Sequence, residues 1–185
     1  LEKMQSENDY IKPYPRKEIP DVFRKVRSEV VERIDTFKDD TSYPIKPEKL
    51  IIDVRHSLNH DDVVISDVGS HKLWISKVYQ TFEPNTCIIP NGFASMGFAL
   101  PGAIAAKLVF PEKTIVAMTG DGGFMMNVQE IETAVRLKLP IIVVVWVDAD
   151  LNLISLKETC EFGKSVFTKF GNPNFVQLAE SFDAV

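Results

Sequence analysis

The sequence has few cysteines, no long apolar run and no cluster of basic residues. Its two cysteines, Cys87 and Cys160, are far apart and form no CxxC pair, which argues against a disulfide framework and favours a reducing, cytoplasmic location. No apolar run reaches the roughly 18 residues that a membrane-spanning helix requires, so no membrane partner is expected. The formal net charge of -5, without a basic run, argues against a nucleic-acid-binding surface.

Hydrophobic patterning predicts two parts in this chain of 185 residues, an N-terminal arm over residues 1–46 and a domain over residues 47–185. Residues 1–17 are polar and contain two prolines, as linkers often do. An amphipathic helix is predicted to follow from Pro20, because apolar residues recur at helical spacing at Val22, Val26, Val30 and Ile34. The chain stops soon after a predicted helix, so we expect the domain to be truncated at its C-terminus.

Apolar strand-like segments alternate with helix-like segments along the predicted domain. Strands are predicted over residues 63–66, 87–89, 114–119 and 141–147. Helices are predicted over residues 48–58, 71–79, 97–109, 127–139 and 174–182. The strands lack clean alternation and are separated by helices, which indicates an α/β fold with a mainly parallel sheet and helices on both faces, a three-layer sandwich. The strand over 141–147 is expected to be buried, and Trp74 and Trp146 are expected to be core residues.

Three loops with polar residues follow predicted strands, at residues 67–71, 120–123 and 148–152. Loops at the carboxyl ends of parallel strands gather at one edge of the sheet, so Asp121 and Asp148 are expected to come close. Two carboxylates together favour a hard dication, and Mg²⁺ is commonly held by one or two carboxylates and phosphates. Glycines in the second loop let the backbone approach a ligand, and a helix start offers N–H groups to an anion. Asp121 alone would be interpreted as a turn residue.

The spacing of these acidic residues resembles a known signature. Gly120-Asp121-Gly122, followed by a helix, a strand and Val147-Asp148, is similar to the GDG motif and closing NN or ND pair of thiamine-diphosphate-dependent enzymes. Val147 departs from the usual Asn, whereas Asp148 fills the metal-binding position. The resemblance implies the thiamine-diphosphate-binding fold, with Mg²⁺ held by Asp121, Asp148 and the backbone carbonyl of Asp150.

The resemblance covers residues 45–185 and points to acetolactate synthases. Residues 91–104 look like the segment that precedes GDG in those enzymes, and residues 67–74 match their diphosphate loop. Residues 132–141, 170–172 and 179–182 look most like the catabolic, FAD-independent branch. The resemblance implies cofactor contacts from Gly69, Ser70, His71, Gly92, Met96, Gly120, Asp121, Gly122, Gly123, Asp148, Asp150, Leu151 and Asn152.

Met96 aligns with the apolar wedge that bends the cofactor in this family, which implies a catalytic role. Its alternative interpretation, from spacing alone, is a gap-filling core methionine. His71 follows the phosphate loop, so it is expected to contact a phosphate through its backbone N–H or its ring.

The implied reaction condenses two pyruvates to acetolactate with loss of CO₂. Family members place their active sites between subunits, so at least a homodimer is expected. Their catalytic glutamate lies in a pyrimidine-binding domain that no segment here resembles, so this chain alone is expected to be inactive. Alternatives within the superfamily are a 2-oxo-acid decarboxylase, glyoxylate carboligase or sulfoacetaldehyde acetyltransferase. A receiver-type or other non-catalytic Mg²⁺-binding module is a further alternative.

Overall fold

The computed structural model describes residues 21–185, in two compact units. Phe37 ends the first unit and Lys38 begins the second. Helix α1 (Asp21–Asp35) belongs to the first unit and confirms the predicted amphipathic helix. The predicted linker over 1–17 and the helix start at Pro20 lie outside the described residues. The predicted division of the chain after residue 46 stays a prediction.

The second unit contains four strands and helices on both sides of them. The four strands pair in parallel in the order β2-β1-β3-β4, which confirms the α/β class. The elements of this unit are α2 (Pro47–His56), β1 (Val63–Ser66), α3 (Ser70–Val78), β2 (Cys87–Ile88), α4 (Ala99–Val109), β3 (Ile115–Gly120), α5 (Asp121–Met126), α6 (Glu130–Arg136), β4 (Ile142–Trp146), α7 (Asn152–Phe162) and α8 (Phe175–Glu180).

One face of the sheet is covered by the alanine-rich helix α4. Small side chains let this helix lie close to the two central strands, so the contact is dense and dry. The buried cluster consists of Val63 and Ile65 of β1, Ile115 and Ala117 of β3, and Ala99, Ala103 and Ala106 of α4. Helices α5 and α6 extend this layer through Phe124 and Ile131.

The opposite face of the sheet is also covered. Val64, Val116 and Met118 alternate with the residues that face α4, and none is more than 2% exposed. Helices α2 and α3 pack against each other and contribute the fully buried Ile51 and Ile75. The expected three-layer sandwich is therefore observed. Within residues 21–185 no helix is both long enough and apolar enough to cross a membrane.

Four features differ from the sequence prediction. The helix predicted over 127–139 is shorter and consists of α6 alone. A separate helix that was not predicted, α5, ends just before Asn127, whose side chain donates to the Gly97 carbonyl at 2.8 Å. Strand β4 is only half-buried, because it pairs with β3 alone within the described sheet, and Ile142 is 51% exposed. Helix α7 was not predicted, since it buries no residue and has no apolar stripe to mark it.

Candidate functional site

A cleft of about 500 Å³ lies at the carboxyl ends of β1, β3 and β4. All the predicted cofactor-contacting residues except Gly92 line it. Gly92 is exposed, so its predicted contact with the aminopyrimidine stays a prediction. Trp74 and Trp146, expected in the core, also line the cleft and are half-buried, so that expectation is wrong. Trp146 is displaced from the core because its strand is at the edge of the described sheet.

The Asp121 carboxylate joins the two acidic loops. Asp121 begins α5 directly after β3 and is 2% exposed. Its Oδ2 accepts hydrogen bonds from the backbone N–H groups of Asp148 at 3.2 Å and Ala149 at 2.8 Å. Its Oδ1 accepts from the N–H of Gly122 at 2.8 Å. The predicted meeting of the Asp121 and Asp148 loops is therefore observed.

The loop that carries Asp148 has a constrained backbone. Ala149 has a φ of 55°, which non-glycine residues rarely adopt. The Ala149 N–H donates to Asp121, and its carbonyl accepts from the N–H of Phe170 at 3.1 Å. Residues on both sides are thus tied to other parts of the fold, which fixes where Asp148 and Asp150 lie.

Negative charge is concentrated at this edge of the cleft. Burial, followed by the charges of Asp121 and Asp150, raises the pKa of the Asp148 carboxyl. The N–H of Asp150 donates to Asp148 Oδ1 at 3.2 Å, which acts in the opposite direction. A cation placed beside these carboxylates would offset their mutual repulsion.

The described residues contain no group of three or more His, Cys, Asp or Glu side chains arranged to hold a metal ion. The predicted ligand set, two carboxylates and one backbone carbonyl, includes only two such side chains and is therefore not a group of this kind. Mg²⁺ is often bound by one or two carboxylates, with phosphates and water completing its shell. The arrangement of Asp121 and Asp148 thus suits a cation that arrives with an anionic ligand better than a metal bound by the protein alone.

The first loop presents the start of α3 to the cleft. Gly69 precedes this helix with a φ of 153° and a ψ of -169°, a conformation open essentially only to glycine. In the first turn the N–H of Lys72 donates to the Gly69 carbonyl at 3.2 Å, so the N–H groups of Ser70 and His71 are the ones that suit an anion. His71, in the same turn, is 5% exposed, and burial lowers the pKa of its imidazole despite the nearby charge of Asp67. His71 is therefore neutral at physiological pH.

Met96 lies beside the glycine-rich loop. A Cβ added at Gly122 would sit 3.5 Å from Met96 Cε and 3.3 Å from Leu151 Cδ2. The Met96 side chain is half-buried and lines the cleft. A side chain at residue 122 would therefore crowd Leu151 and would make only an ordinary contact with Met96.

Asp67 organises the loops around Met96, although it was not among the predicted cofactor contacts. Its carboxylate, 1% exposed, accepts from the N–H groups of Gly97 at 3.0 Å and Ala99 at 3.1 Å. It also accepts from Thr119 Oγ1 at 3.2 Å. Asp67 thus ties the backbone after Met96 to the ends of β1 and β3. The sequence feature that could have indicated this role is the position of Asp67 directly after a buried strand.

Asn172 was also missed. Its side-chain Nδ2 donates to Asp121 Oδ2 at 2.6 Å, although 51 residues separate the two in sequence. The sequence interpretation used Asn172 only as part of a motif match, because nothing local indicates a contact with the GDG loop.

Comparison with known proteins gives a consistent result. The family model described as the thiamine pyrophosphate enzyme, C-terminal TPP binding domain, matches residues 67–185. An acetolactate synthase of Bacillus subtilis (strain 168) is 37% identical over 148 residues, which cover 80% of this chain and 25% of that protein. A catabolic acetolactate synthase of Raoultella terrigena is 34% identical over 142 residues, 77% of this chain and 25% of that protein.

A third relative is the large subunit of acetolactate synthase isozyme 3 of Escherichia coli (strain K12). It is 34% identical over 149 residues, which cover 80% of this chain and 26% of that protein. The chain therefore spans about a quarter of the length of these relatives.

Proposed function

Because this chain belongs to the thiamine pyrophosphate enzyme family, matching its C-terminal TPP-binding domain, we propose that its cleft binds the diphosphate of thiamine diphosphate through Mg²⁺. We further propose that the assembled protein is an acetolactate synthase, which condenses two pyruvates with loss of CO₂. The observation that carries the proposal is the hydrogen bonding of the Asp121 carboxylate to the loop of Asp148, which gathers two carboxylates at one cleft.

Unpartnered polar atoms support a polar ligand at this place. Among residues 21–185, four buried side-chain N or O atoms lack a hydrogen-bond partner, and they belong to His71, Trp146, Asp150 and Asn172. The first three residues line the cleft, and the fourth contacts Asp121. A buried polar atom without a partner destabilises a fold by about 1–3 kcal/mol, so their concentration at one site favours a ligand that compensates for it.

The donor set fits the proposed ligands. Asp121, Asp148 and the backbone carbonyl of Asp150 would hold the cation. The N–H groups at the start of α3, with His71, would bind the phosphates, and Gly122 and Gly123 leave room for them. Bound thiamine diphosphate supplies an electron sink for breaking the bond beside a 2-oxo group.

Met96 is proposed to act on the cofactor through its bulk. Its side chain rises beside Gly122 on the wall of the cleft. There it would hold the two rings in the bent form and exclude water from between them. Asp67 contributes by fixing the backbone of Gly97, the residue that follows Met96.

The site is proposed to be completed by a neighbouring subunit in at least a homodimer. No segment of this chain resembles the pyrimidine-binding domain that carries the family's catalytic glutamate. We therefore propose that this chain binds the diphosphate end without turning over a substrate. A cytoplasmic location is part of the proposal, supported by the free thiols of Cys87 and Cys160.

Pyruvate turnover by the assembled, full-length protein tests the reaction. Formation of acetolactate, dependent on thiamine diphosphate and Mg²⁺, is the expected result. Release of acetaldehyde alone would instead favour a 2-oxo-acid decarboxylase. Turnover only with glyoxylate or with sulfoacetaldehyde would identify the two other carboligase alternatives.

Calorimetric titration with thiamine diphosphate and Mg²⁺ tests the binding proposal separately. Binding without turnover of any 2-oxo acid would identify a non-catalytic homologue. Absence of binding by the assembled protein would contradict the proposed site.

A further inference from the structure

A short segment, residues 168–172, crosses the loop of residues 148–152, which carries Asp148 and Asp150. The N–H of Leu151 donates to the Thr168 carbonyl at 2.9 Å, and the N–H of Phe170 donates to the Ala149 carbonyl at 3.1 Å. Asp150 and Lys169 form an antiparallel bridge between these bonds. We call residues 168–172 the crossing segment. It holds the loop of residues 148–152 in place through backbone hydrogen bonds.

The crossing segment ends at Asn172, whose side chain reaches Asp121. Pro173 follows and favours an extended backbone at Asn172, as the crossing requires. Asn172 Nδ2 donates to Asp121 Oδ2 at 2.6 Å, the shortest of the four hydrogen bonds that this carboxylate accepts. Its own Oδ1 is buried without a partner. The side chain is therefore placed for donation to Asp121, despite the unsatisfied acceptor that this leaves.

The hydrogen bonds on the Asp121 carboxylate are distributed unequally between its oxygens. Oδ2 accepts three, from Asp148, Ala149 and Asn172, whereas Oδ1 accepts one, from Gly122. A carboxylate oxygen has about two lone-pair sites, so Oδ2 is saturated and Oδ1 keeps a free site. A cation can therefore approach Asp121 through Oδ1 alone.

We propose that Asn172 is a positioning residue, which restricts Asp121 to one-oxygen coordination and thereby favours Mg²⁺ over Ca²⁺. This inference rests on the proposed binding of Mg²⁺ and diphosphate at the cleft. Mg²⁺ requires near-octahedral geometry at short distances, which suits one oxygen from each ligand. Ca²⁺ accepts six to eight oxygens at longer distances and readily takes both oxygens of a carboxylate.

Removal of the Asn172 donor is expected to affect the two cations differently. Without it, the two backbone donors still occupy Oδ2, but the bond from Asp148, at 3.2 Å, is long and weak enough for a cation to displace it. Asp121 could then bind Ca²⁺ through both carboxylate oxygens, whereas Mg²⁺ would gain little from a second oxygen of the same carboxylate. A variant that only weakened the fold would lower the Mg²⁺-dependent and the Ca²⁺-dependent affinity for thiamine diphosphate by the same factor.

The test measures thiamine diphosphate binding to the assembled protein by calorimetry, with Mg²⁺ and with Ca²⁺. In Asn172→Ala the Mg²⁺-dependent affinity should fall about 10- to 100-fold, the usual effect of losing a hydrogen bond to a metal-binding side chain. The Ca²⁺-dependent affinity should change much less. Asn172→Leu, which keeps the side-chain volume but donates no hydrogen bond, should behave in the same way.

Asn174→Ala is the matched control. Asn174 lies two residues further on and accepts from the N–H groups of Val176 and Gln177, so its loss weakens the start of α8 without touching Asp121. Its Mg²⁺ to Ca²⁺ affinity ratio should equal that of the wild type. An unchanged ratio in both Asn172 variants would overturn the inference while leaving the proposed function intact. Absence of metal-dependent binding by the wild type would overturn both.

Discussion

The Asp121 carboxylate accepts a hydrogen bond from the backbone N–H of Ala149 at 2.8 Å, across 28 residues of sequence. This contact, rather than direct pairing of acidic side chains, brings the GDG loop and the Asp148 loop together. Asp121 therefore holds the two loops together through Oδ2. Its Oδ1 stays open to a ligand, because it accepts only from the N–H of Gly122. Substitution of this residue should therefore affect binding more than any neighbouring change.

Asp121→Ala is expected to abolish Mg²⁺-dependent binding of thiamine diphosphate in the assembled protein. It removes a charged ligand, so the loss should exceed the roughly 10- to 100-fold that follows removal of a supporting hydrogen bond. Titration calorimetry measures it. Asp53→Ala is the control, because that carboxylate pairs with Lys49 on the exposed face of α2. Equal affinities in the two variants would contradict the assignment.

Met96→Ala should leave the diphosphate bound and slow turnover in the assembled enzyme. The truncated side chain no longer occupies the wall beside Gly122, so the bent form of the cofactor loses its support. Steady-state kinetics and calorimetry measure the two effects. Met96→Leu retains the bulk and should retain most of the turnover. If alanine turned over substrate as fast as methionine, Met96 would be only a packing residue.

Gly123→Ala is expected to destabilise the fold. The added Cβ would lie 3.2 Å from the Asp67 carboxyl carbon and 3.2 Å from Thr119 Oγ1. Asp67 cannot move away, because it is held by Gly97 and Ala99. Overpacking of this kind destabilises by about 1–3 kcal/mol, which denaturant unfolding measures. Gly171→Ala, whose Cβ would meet nothing within 4 Å, is the control and should unfold like the wild type.

His71 should make the stability of the cofactor-free protein depend on pH. Burial lowers the pKa of His71 in the folded state below its ordinary value of 6.5. Between these two pKa values the unfolded chain binds more protons, so the free energy of unfolding falls as the pH drops below 6.5. Each unit of pKa difference corresponds to about 1.4 kcal/mol. Well above pH 6.5 the imidazole is neutral in both the folded and the unfolded state, so His71 no longer makes the free energy of unfolding depend on pH.

Denaturant unfolding at pH 7.5 and pH 5.5 measures this dependence, and His71→Gln should reduce it. His56, which is exposed at the end of α2, provides the control. His56→Gln should keep the pH dependence of the wild type. If His71→Gln showed the same pH dependence of the free energy of unfolding as the wild type, groups other than His71 would be responsible for it.

The sheet could be predicted from apolar strand segments that alternate with helices, and the meeting of the acidic loops from the rule that the carboxyl ends of parallel strands lie at one edge. Strand β1 has the predicted bounds, and Asp121 and Asp148 lie where the strand ends require. These features depend on apolar runs and on the positions of turns, which are visible locally. They also define the fold class.

The contacts that hold the loops in place could not be predicted. Asp67 accepts from residues 30 and 32 positions away, and Asn172 donates to a residue 51 positions away. Single polar contacts over such separations leave no periodic pattern. Helix α7 was missed for a related reason, since an element that buries no face needs no apolar stripe.

The left-handed backbone at Ala149 has a consequence for local opening. Such a conformation destabilises a non-glycine residue by roughly 1–2 kcal/mol and is maintained here by the two hydrogen bonds of its peptide groups. Neutralising Asp121 would weaken one of them and release the strain in the same event. The Ala149 amide should then exchange with deuterium ahead of the amides of the strands beside it, and local opening should begin in this loop.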